Sequence, residues 1–231
     1  MVIRLFWLPL RRLGVDVSIF FFLFLSTPSP PSRAFTDCSV LDCKSLAPTW
    51  EQVARDFDLE TDIVIAKVDC EAPNSKATAQ ENGIAGFPTI KFFPKGSTEP
   101  ESYQGARSQE AFVSFLNERA GTGRVVGGGL NEEAGTIPSF DDVIVKTGLS
   151  PALVSQLKEK AAGDSDKYAN YYVKVAEKLN ENGDYATKEQ TRLQKILDKG
   201  GSAAQKVDDI VSRKNVLRRF VEGIESKKEE L

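Results

Sequence analysis

The 231-residue sequence contains no histidine, and this absence excludes several kinds of active site. Histidine is the commonest general base near neutral pH and the commonest metal ligand in proteins. Ser-His-Asp and Cys-His catalysis, and zinc sites with histidine ligands, are therefore excluded. Cysteine is also scarce: Cys38, Cys43 and Cys70 are too few for a disulfide-stapled fold or an all-cysteine zinc site. We expect no bound metal and no small-molecule cofactor.

The sequence also lacks an excess of basic residues. Thirty Lys and Arg residues stand against 33 Asp and Glu residues, which gives a formal net charge of -3. Such a chain has no surplus of positive charge to neutralise phosphates, so nucleic acid is not an expected partner. The hydrophobic share of 41% and the charged share of 27% are ordinary for a globular protein. The length suits one large domain or two small ones.

Long apolar runs are scarce too, and the most apolar stretch lies near the start of the chain. Arginines precede the run Val17–Leu25, and small residues and prolines follow it as far as Ala34. This order is typical of a secretory signal that is cleaved after Ala34. The run is shorter than the roughly 20 apolar residues that a membrane-spanning helix needs. Residues 1–34 are therefore predicted to be a signal segment.

The sequence ends in Lys228-Glu-Glu-Leu231, within a charged tail that begins at residue 226. This tetrapeptide is similar to those bound by the retrieval receptor of the endoplasmic reticulum. Charged tails of this kind also arise by chance, so the prediction depends on both ends of the chain. Together with the N-terminal signal, the tail indicates the lumen of the endoplasmic reticulum, an oxidising compartment, and the retrieval receptor as a partner.

Helix-like and strand-like patterns alternate between Cys43 and Ala120, which is typical of an α/β fold. Helices are indicated by apolar residues at a period of 3.6, and strands by short runs of β-branched residues. The predicted helices are residues 44–57, 73–82 and a segment capped by Ser108, and the predicted strands are residues 62–69, 89–93 and a short one from Tyr103.

Four blocks of this segment closely resemble the second half of a thioredoxin-like domain of the protein disulfide isomerase family. They are Cys43-Lys-Ser-Leu-Ala-Pro-Thr-Trp50, Ile65-Ala-Lys-Val-Asp-Cys70, Gly86-Phe-Pro-Thr-Ile-Lys-Phe-Phe-Pro-Lys-Gly96 and Tyr103-Gln-Gly-Ala-Arg107. The resemblance implies a thioredoxin-like α/β domain over residues 35–120 whose N-terminal part is incomplete. It also implies a protein disulfide-isomerase, a thiol-disulfide oxidoreductase that assists the folding of secreted proteins and has unfolded or disulfide-bonded polypeptides as clients.

The resemblance also assigns substrate-binding and catalytic residues. Phe87 and Pro88 stand where the family has a cis-proline facing the redox site. Such a bond leaves the preceding backbone groups free to pair with an extended substrate. Arg107 stands where a mobile arginine of the family approaches the second thiol and stabilises its thiolate. The alternative for Arg107 is a solvated charge at the start of a helix.

The sequence departs from the family at the redox motif itself. The family has Cys-x-x-Cys at the start of a helix, where free amides and the helix dipole stabilise the attacking thiolate. Cys43 matches only the second, resolving cysteine, and Val40 holds the place of the first. Cys38 is a replacement only if residues 39–42 form a loop that folds back, and Cys70 is expected to be a small buried hydrophobe. A non-catalytic chaperone or escort of unfolded polypeptides is therefore the alternative function.

No strand-helix-strand pattern precedes Cys43, although thioredoxin-like domains begin with one. The strands at residues 62–69 and 89–93 would then flank a gap, and unpaired strand edges favour aggregation. Only residues 19–25 are apolar enough to fill that gap. If the segment is not cleaved, it is a substitute central strand. The remaining interpretation is a splice form or imperfect gene model that joins unrelated residues to a half-domain.

The rest of the sequence divides into a linker and a helical region. Glycines cluster in residues 121–137, which predicts a linker because ordering glycine costs much entropy. Residues 138–225 carry apolar residues at helical spacing, which predicts an all-α bundle. The segments 166–179 and 212–220 resemble the helical D domain that follows the thioredoxin domains in some of these isomerases and is implicated in client binding. We expect most of its tyrosines to pack in the core.

Overall fold

The computed structural model describes residues 19–25, 38–70, 75–94, 97 and 99–229. The chain divides into two compact units, Met1–Gly129 and Leu130–Leu231. The rest of the predicted signal segment, and the last two residues of the predicted retrieval tail, lie outside the described residues. Within the described part, no helix combines the length and the apolar composition that crossing a membrane requires.

The first unit contains a four-stranded sheet with helices, as the alternating pattern predicted. The strands are β1 (Ile19–Leu25), β2 (Ile63–Asp69), β3 (Thr89–Phe93) and β4 (Glu101–Ser102), and the described helices are α1 (Cys38–Asp56), α2 (Lys76–Glu81) and α3 (Gln109–Ala120). The strands lie in the order β2-β1-β3-β4. β1 is parallel to β2 and antiparallel to β3, and β3 is antiparallel to β4. The predicted α/β class of this region is confirmed.

β1 lies in the centre of the sheet, between β2 and β3. These are the two strands that the sequence left without a central strand between them. At its end Leu25 lies opposite Asp69 of β2, and Phe24 lies opposite Thr89 of β3. The hypothesis of a substitute central strand describes this arrangement. Cleavage of the predicted signal segment would remove β1 from the sheet, so the two interpretations of that segment exclude each other.

The ends of some elements differ from the prediction. α1 begins before Cys43 and continues through Pro48, which is accommodated inside the helix. The third predicted strand begins two residues earlier than Tyr103, where β4 pairs with β3. Ser108 caps α3 as predicted, because its hydroxyl accepts the amide proton of Ala111 at 3.3 Å.

α1, α3 and the sheet enclose a core of aromatic and aliphatic side chains. The ring of Trp50 meets that of Phe112 edge to face at 5.5 Å, and Tyr103 packs on Phe112 at 5.1 Å. Full burial of one such side chain contributes roughly 1.5–3 kcal/mol to folding. The buried members of this core are Leu46, Trp50, Val53, Phe57, Ile63, Ile90, Phe92, Phe112, Val113 and Leu116.

The glycine-rich segment that follows α3 is held against the first unit over residues 121–129. Arg124 is only 4% exposed, and its Nε lies 2.6 Å from Oε1 of Glu60. The buried carboxylate of Asp56 accepts the amide proton of Gly127 at 3.0 Å. These polar contacts offset the entropy cost of ordering glycine. The predicted linker therefore does not extend over this part of the chain.

The second unit is helical throughout its described residues, as predicted. Its helices are α4 (Pro138–Thr147), α5 (Pro151–Ala162), α6 (Ala169–Glu181), α7 (Tyr185–Lys199) and α8 (Ala204–Glu229). Tyr172 is fully buried at the centre of the unit, with its ring 5.2 Å from that of Phe140 and 5.7 Å from that of Phe220. Tyr168 is also buried. The prediction that most of its tyrosines pack in the core is confirmed for these two.

A polar network with half-buried members lies beside the buried Tyr172. The Tyr172 hydroxyl donates to Oδ1 of Asp141 at 2.5 Å and accepts the amide proton of Ile137 at 3.0 Å. The guanidinium of Arg219 lies 3.4 Å from the other carboxylate oxygen of Asp141. Burial raises the pKa of Asp141 above its ordinary value, although the hydrogen bond from Tyr172 opposes this effect. The network joins α4, α6 and α8 through the Tyr172 hydrogen bonds and the ion pair of Arg219 with Asp141.

Candidate redox and polypeptide-binding site

Residues of the predicted site lie at one end of the sheet in the first unit. β1 and β2 are parallel and end side by side, with Leu25 opposite Asp69, and the antiparallel β3 begins beside them. Cys70 directly follows β2, and Pro88 directly precedes β3. These two residues therefore flank the end of β1, about 10 Å apart at the usual spacing of neighbouring strands.

α1 brings Cys43 to the same end of the sheet. Only residues 57–62 separate α1 from β2, so the two elements run in opposite directions. Nε1 of Trp50 donates to the carbonyl oxygen of Ala66 at 3.2 Å, which fixes one point of contact between them. Cys43 lies about 10 Å before Trp50 along the helix, and Cys70 lies about 13 Å after Ala66 along the strand direction. Both cysteines are thus displaced in the same direction from that contact.

The Cys43 thiol is free and buried, with 4% of the residue exposed. Cys43 is the sixth residue of α1, so it lies in the second turn of the helix. The free amides of a helix belong to its first four residues, and they are the groups that stabilise a thiolate at a helix start. The expectation of a thiol at the head of the helix is therefore not met.

Cys38 is not placed to replace the missing attacking thiol. It begins α1, and residues 39–42 are helical instead of forming the loop that a bridge to Cys43 requires. Five residues of α-helix rise about 7.5 Å and turn the two positions to different faces. A disulfide needs Cα atoms within about 7 Å of each other. The backbone thus contradicts a Cys38–Cys43 pair, while the Cys38 side chain itself lies outside the described residues.

The segment around Pro88 has the form that the resemblance implied. The Phe87–Pro88 peptide bond is cis, Pro88 is buried and Phe87 is half-buried. The hydroxyl of Thr89 donates to the carbonyl oxygen of Gly86 at 2.6 Å and closes the turn before β3. Arg107 is exposed, and its Nη2 donates to the carbonyl oxygen of Pro88 at 3.4 Å. The structure therefore brings Arg107 to the backbone of Pro88.

A polar cavity of about 290 Å³ opens beside Pro88, between the start of β3 and residues 102–107. Tyr103 forms one wall, and its hydroxyl donates to the carbonyl oxygen of Ala106 at 2.8 Å. A Cβ atom at Gly105 would lie 2.4 Å from that hydroxyl, so the wall requires glycine there. In the sequence, Tyr103 and Gly105 stand out only as part of the block Tyr103–Arg107. Their signal was the Tyr-x-Gly spacing, which lets an aromatic ring lie over a backbone without a side chain.

The buried Cys70 thiol has a strongly raised pKa. Burial, the Asp69 carboxylate and the Cys43 thiol together raise the pKa of Cys70 to about 11. Cys70 is therefore protonated at neutral pH. Across the described residues, no three cysteine or carboxylate side chains converge in a way that would hold a metal ion.

Two family models match the chain, and they divide it as the fold does. The Thioredoxin family matches residues 38–118, and the family described as Endoplasmic reticulum protein ERp29, C-terminal domain, matches residues 135–220. The chain is also 58% identical over 198 residues to protein disulfide-isomerase tigA of Aspergillus niger, covering 86% of this chain and 55% of that protein. The chain is therefore similar, over most of its own length, to proteins named protein disulfide-isomerase. The resemblance seen in the four sequence blocks is thereby confirmed.

Other relatives show the same partial coverage. Protein disulfide-isomerase erp38 of Neurospora crassa is 50% identical over 206 residues, covering 86% of this chain and 56% of that protein. The chain thus spans about half the length of the curated relatives it matches. The first two thioredoxin domains of Naumovozyma dairenensis Eps1p are 28% identical, with a TM-score of 0.35 over 46% of this chain and 36% of that chain. The Thioredoxin match begins at residue 38, so β1 lies outside it.

Proposed function

We propose that the protein is a folding factor that exchanges disulfides with client polypeptides through Cys43. The observation that carries this proposal is the position of a free thiol, Cys43, at the same sheet end as Pro88 and the polar cavity beside it. A polypeptide lying in that cavity is held close to the thiol with which its cysteines react.

The cavity suits the backbone of an extended polypeptide. Its lining residues include Pro88, the hydroxyl-bearing Ser102 and Tyr103, and the exposed Arg107. Backbone groups of an extended segment bind by hydrogen bonds that do not depend on its side chains. Such a site accepts many client sequences, as a folding factor requires. Arg107 acts here as a donor to a carbonyl oxygen, a role in which its contact with Pro88 already places it.

The exchange step begins at Cys43. Its thiolate attacks one sulfur of a client disulfide, forms a mixed disulfide and releases the other client sulfur as a thiol. Because Cys43 is 4% exposed, the attack requires local opening of the first turns of α1. We therefore expect the reaction to be slower than at an exposed helix start.

A second candidate is a non-catalytic escort of unfolded polypeptides. The burial of Cys43 and the presence of Val40 in place of the first motif cysteine favour it. An escort would use the cavity beside Pro88 and the helical unit for binding and would leave client disulfides unchanged.

We assign this function to the lumen of the endoplasmic reticulum. The ERp29-type domain and the tail Lys228–Leu231, which is similar to retrieval tetrapeptides, support this location and the retrieval receptor as a partner. Intact-mass measurement of the protein from a secretory host tests the N-terminal segment. A chain that retains residues 19–25 keeps β1, whereas one that begins at Phe35 has a cleaved signal and no central β1.

Reactivation of scrambled ribonuclease tests the exchange reaction directly. We expect turnover with the full chain, a fall to the background rate with Cys43→Ser and no comparable fall with Cys38→Ser. Equal rates for the wild type and Cys43→Ser would end the exchange proposal. In that case the escort candidate predicts that both proteins suppress the aggregation of a reduced client to the same extent.

A further inference from the structure

Cys43 lies on α1 and Cys70 directly follows β2, and these two elements run side by side. From Cys43 to the end of α1 the helix rises about 20 Å, and from the start of β2 to Cys70 the strand extends about 23 Å. A short connection joins the two elements in opposite directions. The two cysteines therefore lie at nearly the same height along the helix-strand pair.

The face of α1 that carries Cys43 is the face that packs on the sheet. Leu46, Trp50 and Val53 follow Cys43 at alternating spacings of three and four residues, and all are buried. Trp50 contacts the β2 backbone at Ala66. The thiol of Cys43 is therefore directed inward, toward the sheet end at which β2 stops.

Cys70 is buried at that sheet end, with 7% of the residue exposed, and its thiol is free. Asp69 and Cys43 are the titratable groups that act on it, and both raise its pKa. The effect of Cys43 follows those of burial and Asp69 in size, and it agrees with the placement of both thiols at this sheet end. Helix register and burial thus place both thiols at the same end of the sheet.

We propose that Cys43 and Cys70 form the working thiol pair of this chain, in which Cys70 resolves the mixed disulfide between Cys43 and a client. This inference rests on the proposed function, because it requires that Cys43 reacts with client disulfides. It assigns Cys70 the task that a second motif cysteine has in a Cys-x-x-Cys site, which this chain lacks.

The resolving step balances without any further oxidant. Cys70 loses its proton and attacks the Cys43 sulfur of the mixed disulfide, so the Cys43–Cys70 bond forms as the Cys43–client bond breaks. The client sulfur leaves and takes up a proton. One client disulfide is reduced to two thiols, and two thiols of this chain are oxidised to one disulfide.

The raised pKa of Cys70 gives this step a recognisable pH dependence. With a pKa of about 11, its thiolate fraction grows about tenfold for each pH unit between pH 7 and pH 9. The rate of closure should rise by the same factor. A cysteine that only packs in the core would not produce such a profile.

Reaction with 4,4′-dithiodipyridine tests the pair in the full chain carrying Cys38→Ser. Attack by Cys43 releases one thiopyridone, and closure by Cys70 releases a second at a rate independent of protein concentration. We expect two equivalents, a second phase about tenfold faster per pH unit, and a Cys43–Cys70 disulfide in non-reducing peptide maps. Adding Cys70→Ser should leave one equivalent and a stable Cys43 adduct.

The outcomes separate the two proposals. If Cys43 forms its adduct and the adduct persists equally with and without Cys70, the thiol pair is overturned while the reactivity of Cys43 stands. If Cys43 forms no adduct in either protein, both the exchange proposal and the pair are contradicted. Cys70→Ala serves as a second variant, and thermal unfolding of each protein by circular dichroism verifies that it is folded.

Discussion

The two units of this protein build their cores from different kinds of contact. The helical unit packs α4 to α8, which follow one another along the chain, around Tyr172 and Phe220. The first unit instead depends on β1, which pairs with β2 and β3 from much later in the sequence. Local patterns therefore indicate the helices of the second unit, although α8 also packs on α4 and α6 from earlier in the sequence. The first unit, and the site at its sheet end, require one long-range pairing.

Disrupting β1 should cause the largest loss of stability, and that loss should be limited to the first unit. Phe22 lies opposite Ala66 on one side and Lys91 on the other, so its backbone is central in the sheet. Phe22→Pro removes a ladder hydrogen bond and places a proline where sheets do not accept it. We expect calorimetry to show loss of the first unit's unfolding transition and retention of the helical one.

Phe22→Ile is the matched control for that experiment, because it keeps the backbone amide. We expect it to retain both transitions. If Phe22→Pro also retains both, β1 does not hold the sheet together.

A substitution that creates a cavity in one core should lower the stability of that unit only. Phe112 in the first unit and Phe220 in the second are both 0% exposed. Truncation to alanine should cost about 3–5 kcal/mol of unfolding free energy in the unit that contains the residue. Hydrogen exchange measured by mass spectrometry, peptide by peptide, locates the loss. The exposed Val145 offers a control, since Val145→Ala should change stability by less than about 0.5 kcal/mol.

A substitution at Arg124 tests whether the glycine-rich residues 121–129 contribute to the stability of the first unit. Arg124→Ala leaves the Glu60 carboxylate without its buried partner and should destabilise the first unit by about 3 kcal/mol in urea unfolding. The double variant with Glu60→Ala should recover part of that loss, because no unpaired charge remains. An Arg124→Ala protein as stable as the wild type would mean that this segment is not anchored as described.

A single glycine offers a smaller test in the helical unit. Gly135 has a φ of 79°, and a Cβ atom there would lie 2.4 Å from Cβ of Ser212. Gly135→Ala should cost about 1–3 kcal/mol of that unit's thermal stability. Gly183→Ala is the control, because a Cβ at Gly183 meets nothing within 4 Å. Equal effects of the two substitutions would contradict the close approach at Gly135.

The smallest predicted effect is a pH dependence of the helical unit. The folded-state pKa of Asp141 is raised by burial, so the folded protein binds its proton more tightly than the unfolded chain. This contribution to stability is fully present below the ordinary carboxyl pKa of about 3.9 and is lost as pH rises through the raised value. Subtracting the unfolding free energies of Asp141→Asn from those of the wild type, pH by pH, should reveal that fall. A flat difference would contradict it.

The sequence predicted what depends on local pattern. Apolar spacing indicated the helices of the second unit, Ser108 as a helix cap and the strand at residues 89–93, because these features follow from neighbouring residues. It could not predict that residues 121–129 are ordered. Glycine content says nothing about distant partners such as Glu60 and Asp56.

In the candidate site, too, some features were predictable from local sequence and others were not. The motif around Pro88 identified the cis bond, but the position of Cys43 within α1 depends on where the helix begins. No helix-capping pattern in residues 38–42 marked that start in the sequence. Cys70 was predicted to be a small buried hydrophobe, and it is buried. Its position at the same sheet end as Cys43 follows only from the packing of α1 on β2.

Hydrogen exchange of the backbone amides tests the central claim most directly, that β1 completes the sheet on which the site is built. In the full chain, peptides from residues 19–25, 63–69 and 89–93 should be protected together and should lose protection together in denaturant. Rapid exchange of residues 19–25, while the other two strands remain protected, would contradict the account.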